Sequence, residues 1–249
     1  MSPVAHFSED EVERYARHLV LAEVGGPGQQ KLARARVLIV GAGGVGGPAA
    51  LYLAAAGIGT IGLVDADTVS LSNLQRQIQF ATEDVGRSKV EVSAEKLTAI
   101  NPHVATRTYT LMLSADTASA LIADYDIVLD GTDDFATRFA VNAACVAAGV
   151  PLVSGALGRW DGQVAVFEGR PCYQCLVSEA PPDAETCARV GVIGALAGVV
   201  GCMAALEVVK LITGAGEPLT GRLLLYDSLN ATARTVRIAA DPKCPVCSA

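Results

Sequence analysis

The sequence predicts an α/β protein: a mostly parallel sheet with helices on both faces, extended late in the chain by antiparallel strands. Three observations carry that expectation. Short apolar runs alternate with helix-length segments through most of the chain. The first run opens directly into a glycine-rich loop and then an Ala-rich helix. Two Cys-x-x-Cys pairs, Cys172/Cys175 and Cys244/Cys247, offer four soft ligands for one tetrahedral zinc ion that would clamp the C-terminus.

Taken in order, Ser8 and Glu11 have the spacing of a capping box and start a helix expected to reach about residue 24. Gly25-Gly26-Pro27-Gly28 is expected to break it before a short helix over residues 30–34. Residues 37–40 form the first strand, 41–47 the loop, and a helix follows to Gly57. A second strand, 61–64, ends at Asp65. A helix from about 87 to 100 stops at Asn101-Pro102, because proline disfavours helix in the residue before it. Residues 127–129 read as a strand, 136–148 as a helix and 151–154 as another strand. Segments 163–167, 222–226 and 235–238 read as strands that pair antiparallel. Residues 178–189, with Pro181-Pro182 and several charges, are the expected mobile loop.

Composition narrows the class. With 249 residues, 51% hydrophobic and 18% charged, the chain can bury a sizeable core. A net charge of −7 argues against a nucleic-acid or anionic-membrane partner. Residues 1–14 carry acids and no apolar run, so no signal peptide is expected and the cytoplasm is the expected compartment. In that setting seven cysteines read as metal ligands and free thiols, with Cys145, Cys187 and Cys202 left over. The uncharged stretch 190–206 is short for a membrane span and reads as a buried helix. Its Gly194, Gly198 and Gly201 would admit a close neighbouring helix.

Gly41, Gly43 and Gly46 give G-x-G-x-x-G between a strand and a helix, the context of a Rossmann-like nucleotide loop. Backbone N–H groups there approach phosphate oxygens at the positive end of the helix. Asp65, nineteen residues after Gly46, can accept hydrogen bonds from both ribose hydroxyls. This pattern alone does not separate NAD from ATP. Asp67, Asn73, Arg76, Lys89 and Asp133 tilt the balance, because two extra cations can bracket a triphosphate and an acid after a strand can hold magnesium. Taken singly, Lys89 reads as a solvated helix residue, Asp133 as a helix cap and Arg76 as a surface ion pair.

Arg14-Tyr-Ala-Arg17, the glycine loop, Ser72-Asn-Leu-Gln-Arg-Gln77, Ile100-Asn-Pro-His103 and the paired cysteines together resemble the ubiquitin-activating-enzyme-like superfamily. Within it the chain is most similar to the MoeB/ThiF-type sulfur-carrier adenylyltransferases, from Arg14 to Cys247 and without a rhodanese domain. The resemblance implies ATP-dependent adenylation of a small β-grasp sulfur carrier at its C-terminal Gly-Gly carboxylate, for molybdopterin, thiamin or related sulfur transfer. It implies an ATP site of Gly44, Asp65, Asn73, Arg76 and Lys89, with Asp133 as the Mg²⁺-linked acid. It implies a homodimer in which Arg17 reaches the partner's site. A sulfurtransferase or cysteine desulfurase would donate sulfur. The chain then divides into N-terminal helices (1–34), a nucleotide-binding core (35–156) and a carrier-binding, zinc-clamped part (157–249). Gly131 and Asp134 depart from relatives that often carry Cys and Asn there, and Asp134 adds a negative charge beside the metal site. Cys187 lies where some relatives link covalently to the carrier; Arg189 would lower its pKa, and the alternative is an ordinary unused thiol. Relatives acting on tRNA or a short peptide, a non-catalytic scaffold and an NAD-dependent oxidoreductase are the competing readings.

Overall fold

The computed structural model describes residues 7–180 and 191–248. Eight strands form one sheet in the order β3-β2-β1-β4-β5-β6-β7-β8. They are β1 (Arg36–Val40), β2 (Thr60–Val64), β3 (Ala105–Tyr109), β4 (Ile127–Asp130), β5 (Leu152–Leu157), β6 (Asp161–Phe167), β7 (Arg222–Asp227) and β8 (Thr232–Arg237). β3 through β5 pair in parallel, and β5 to β8 continue as an antiparallel meander.

The helices are α1 (Glu9–Leu19), α2 (Gly25–Arg34), α3 (Gly46–Ala55), α4 (Lys89–Ile100), α5 (Ala115–Ile122), α6 (Phe135–Ala148), α7 (Tyr173–Leu176) and α8 (Gly194–Thr213). β1 is buried on both faces, and its side chains sort by strand alternation. Val37 and Ile39 join a core with Leu32, Leu53, Leu97, Val200 and Val208, from α2, α3, α4 and α8. Leu38 and Val40 join a second core with Ile122, Val141 and Tyr173, from α5, α6 and α7. Helices therefore cover both faces, as expected.

Several boundaries differ from the sequence reading. α1 does start at its capping box: the Glu11 N–H donates to Ser8 Oγ at 3.2 Å, and the Ser8 N–H to Glu11 Oε2 at 2.9 Å. It ends at Leu19 rather than near residue 24. Gly25-Gly26-Pro27-Gly28 begins α2 instead of breaking a helix. Proline is tolerated there because first-turn N–H groups have no intrahelical acceptor.

α8 is long and apolar enough by length and composition to cross a membrane. Here it is a core helix, with Leu196, Ala197, Val200, Ala204 and Val208 buried against the sheet and α3. Gly201 makes the close approach foreseen for it: a Cβ there would lie 2.4 Å from Val45 O. Gly194 instead meets the Gln75 carbonyl, and Gly198 faces open space. Lys210 Nζ pairs with Glu207 Oε1 at 2.5 Å, and Glu207 Oε2 accepts the Leu219 N–H at 2.7 Å.

Candidate active site

β1 lies between β2 and β4, so the chain leaves it on one side and returns on the other. Ligands of doubly wound sheets sit at that switch point, beyond the strands' carboxyl ends. A cleft of about 580 Å³ opens there. Gly41, Gly43, Gly44, Asp65, Asp67, Asn73, Arg76, Lys89 and Asp133 all line it.

Two glycines shape the loop, each for its own reason. Gly41 has φ +88°, a left-handed conformation that other residues adopt only with strain. A Cβ on Gly46 would lie 1.9 Å from Gly41 O, so the turn closes only without one. Gly46 thus lies under the loop, not on the cleft wall, and starts α3.

Asp65 follows β2 and braces the loop. Its Oδ2 accepts the Ala42 N–H at 2.8 Å and its Oδ1 the Asp67 N–H at 2.9 Å. Each oxygen keeps a lone pair for a further donor. Burial pushes its pKa above the ordinary carboxylate value, and Lys89 with the two N–H groups offsets this only in part. Lys89 is 5% exposed and reaches Asp67 Oδ2 at 2.7 Å. Arg76 is freer: Nη1 donates to Ser72 O at 3.2 Å, and among the described residues it pairs with no carboxylate.

Asp133 and Asp134 divide their roles. Asp134 is the N-cap of α6, its Oδ2 accepting the Thr137 N–H and hydroxyl at 2.7 Å each. Burial alone would raise its pKa, but these bonds outweigh it and hold the carboxyl below the ordinary value. Asp133 is therefore not the cap. Its exposed carboxylate accepts no hydrogen bond among the described residues and faces the cleft. Gly131 packs hard under the loop, where a Cβ would meet Gly46 N at 2.9 Å.

The cleft has walls that motif reading did not foresee. Leu111, Met112 and Leu113, after the exposed strand β3, form an apolar side. At the other end it passes Phe135, Arg138, Gly155, Asp161, Gln163, Tyr173 and Leu225, and so reaches the antiparallel strands. An arginine on the largely apolar α6 was the one available signal for Arg138. Arg17 lies exposed on α1 and does not line this chain's own cleft. Cys187 and Arg189 lie outside the described residues.

The four clamp sulfurs do come together, all within 4.8 Å of one another. Cys172 Sγ is 3.6 Å from Cys244 Sγ, and Cys175 Sγ is 3.4 Å from Cys247 Sγ. Four sulfurs about 2.3 Å from a tetrahedral zinc stand about 3.8 Å apart, so the cluster fits that ion. Burial opposes ionisation of Cys244, yet N–H groups of Cys247 and Val246 help bring its pKa down to about 7. Asn142 Nδ2 and the Asp241 N–H approach Cys172 and Cys175 sulfur at 3.6 and 3.4 Å. Cys145 and Cys202 lie elsewhere, and burial raises both thiols.

Fold and cleft together are those of the doubly wound α/β proteins that take nucleotides at the switch point, here with a Cys₄ clamp added. More narrowly, the chain belongs to the ThiF family, whose model matches residues 15–246. It is 45% identical over 250 residues to a sulfur carrier protein adenylyltransferase of Thermus thermophilus, covering 97% of this chain and 92% of that one. It is 44% identical to the molybdopterin-synthase adenylyltransferase of Escherichia coli, covering 98% and 99%. The crystal structure of E. coli MccB with ATP superposes with a TM-score of 0.80 at 26% identity, covering 94% of this chain and 74% of that one.

Proposed function

We propose that this chain is an adenylyltransferase that uses ATP to activate the C-terminal carboxylate of a small β-grasp sulfur-carrier protein ending in Gly-Gly. One observation carries the reading. A single cleft runs from the glycine loop and Asp65, past Arg76, Lys89 and Asp133, to the antiparallel strands at Asp161, Gln163 and Leu225. That gives a nucleotide end, a charged middle and an open end for a polypeptide tail. The relatives named for sulfur-carrier and molybdopterin-synthase chemistry match almost the whole chain at 44–45% identity, which favours this branch over the peptide and tRNA branches.

The chemistry explains why no histidine is needed among the described residues that line the cleft. A carboxylate is already nucleophilic at neutral pH, so the step needs alignment and charge relief more than proton transfer. The carrier's carboxylate oxygen bonds to the α-phosphorus of ATP as the bond to the bridging oxygen breaks, and pyrophosphate leaves. Asp65 holds the ribose, and the loop that Gly41 turns takes phosphate oxygens on the N–H groups of Gly43 and Gly44, since the Gly41 N–H is spent on Val64 O. Arg76 and Lys89 neutralise the phosphates, Lys89 by exchanging its bond to Asp67, and the Asn73 amide donates a hydrogen bond to them. Asp133 is the free carboxylate suited to Mg²⁺, which supplies further charge neutralisation on pyrophosphate when bound. The persulfide of a sulfurtransferase or cysteine desulfurase then attacks the acyl-adenylate and displaces AMP, and a second thiol cleaves the resulting acyl disulfide by exchange to release the thiocarboxylate.

The chain works as a homodimer in which Arg17 completes the partner's site. Val20 and Leu21 after α1, Tyr52 on α3 and Leu206 on α8 are exposed apolar side chains that an interface would cover. Residues 157–249 form the carrier-binding, clamped part, and the cytoplasm is the proposed compartment. ATP–pyrophosphate exchange with Mg²⁺, measured with a Gly-Gly-ending carrier and its tail-truncated form, tests the reading. Exchange that requires the intact tail is the expected result. ATP binding without exchange for any carrier would turn the assignment toward a peptide or tRNA substrate.

A further inference from the structure

The side chain that ties the loop after β4 to β5 has no part in the steps above. Arg138, on α6, is 4% exposed. Its guanidinium donates to Ser154 Oγ at 3.0 Å and Gly155 O at 2.9 Å on β5, and to Thr132 O on the loop. Asp130 Oδ2, at the end of β4, stands 3.7 Å from the same guanidinium. The other Asp130 oxygen accepts the Thr132 N–H at 2.9 Å and its hydroxyl at 2.7 Å. Across the guanidinium lies the Tyr173 ring, its centroid 5.8 Å away. That ring packs edge-on to Phe167 at 5.9 Å and tilted on Phe139 at 6.0 Å. The Tyr173 N–H is held by Asn142 Oδ1 at 2.8 Å, one residue from the clamp ligand Cys172.

These contacts converge on Thr132, the neighbour of Asp133. The Asp133 carboxylate accepts no hydrogen bond among the described residues, so only its backbone sets where it stands. Burying a guanidinium is costly, and apolar packing often stabilises such a place equally well. What an apolar residue cannot do is tie two carbonyls from separate segments, Thr132 O and Gly155 O, into one planar fork.

We propose that Arg138 is a positioning residue: it locks the Thr132–Asp133 backbone to β5 so that the Asp133 carboxylate stands at the metal and phosphate end of the cleft, with Tyr173 closing over the guanidinium. The proposal rests on Asp133 being the magnesium-linked acid. The test is Mn²⁺ affinity of the protein–ATP complex by electron paramagnetic resonance, beside ATP affinity in EDTA and melting temperature. It compares the full-length parent with Asp133→Asn, Arg138→Lys, Tyr173→Leu and Ser154→Ala.

Arg138→Lys keeps the charge but loses the fork. It should hold ATP affinity in EDTA within about twofold while Mn²⁺ affinity falls on the order of tenfold, since small misplacements carry large penalties. Tyr173→Leu and Ser154→Ala should fall less and in the same direction. Ser154→Ala removes one acceptor only and stands in if the lysine variant does not fold. Unchanged Mn²⁺ affinity in folded Arg138→Lys, or in Ser154→Ala in its place, while Asp133→Asn loses it, overturns the positioning role alone. So does an equal loss of Mn²⁺ and metal-free ATP binding. An Asp133→Asn variant with unaltered Mn²⁺ affinity overturns the magnesium reading, and this proposal with it.

Discussion

Arg76 and Lys89 sit in one cleft, yet the fold treats them differently. Lys89 is buried with its ammonium on Asp67, whereas Arg76 is half-exposed and holds only the Ser72 carbonyl. Removing Arg76 therefore strips a charge from the site without opening the core. Arg76→Ala should lower ATP–pyrophosphate exchange by ~10²–10³, the usual loss for one preorganised donor, with an unchanged melting temperature. A parallel fall in melting temperature would show that its role is structural. The clamp gives the opposite pattern. Cys244→Ser removes one of four clustered sulfurs, so zinc content measured by atomic absorption and the melting temperature should fall together. At this scale the sequence was most readable where spacing dictates chemistry. Cys-x-x-Cys, G-x-G-x-x-G and an acid after β2 require few tertiary facts to interpret. The division between Asp133 and Asp134 was not readable, because either could cap a helix beginning near residue 135. Arg138 was hidden more deeply, since its acceptors are backbone carbonyls on two segments that sequence does not show to be adjacent.

Among the elements, β1, β2, β4 and β5 were legible because sheet-centre strands are apolar on both faces. β3 was not: Ala-Thr-Arg-Thr-Tyr lies at the sheet edge, largely exposed, and has no apolar run to announce it. α5 escaped for a related reason, being short and buried only at Ala118 and Ile122. The connection from β2 to α4 has its own anchor, which sequence alone did not mark. Asp84 is 2% exposed at its side chain; it accepts the Ala81 N–H at 2.9 Å and pairs with Arg87 at 3.0 Å and Lys96 at 3.9 Å. The Ala81 bond, helped by Lys96 and Arg87, overcomes burial and holds its pKa below the ordinary value. A depressed folded-state pKa means stability that is present above the unfolded value of about 3.9 and lost as pH falls through the folded one. Asp84→Asn should thus cost about 1.5–3 kcal/mol at pH 7, the range for hydrogen bonds to a charged group. Urea unfolding should show that gap narrowing below about pH 4, where the parent loses the same contribution. A gap that stays constant to lower pH would mean that the carboxylate charge is not what stabilises this turn.

On the proposed function, one sheet serves two kinds of ligand across the whole molecule. Its parallel half ends in a nucleotide loop, its antiparallel half extends the same cleft, and the Cys₄ clamp ties the C-terminal tail beside α7. A chain with its own glycine loop, Arg76, Lys89 and Asp133 still leaves Arg17 exposed on α1, away from that cleft. If two protomers share sites, each cleft combines Asp133 of one chain with Arg17 of the other. Arg17→Ala and Asp133→Asn homodimers should then each be nearly inactive in pyrophosphate exchange. A mixed dimer restores one cleft of its two, because the Asp133→Asn chain lends its intact Arg17 to the Arg17→Ala chain. Random reassociation of equal amounts makes half the dimers mixed, so activity should return to about a quarter of the parent's, as two-fold symmetry requires. The recovery should need subunit exchange, appearing after mild denaturant and dilution and vanishing when protomers are cross-linked before mixing. Arg17→Ala with full activity by itself would remove Arg17 from the site. Two inactive variants that never complement would place both residues in one protomer's cleft and argue that each chain acts alone.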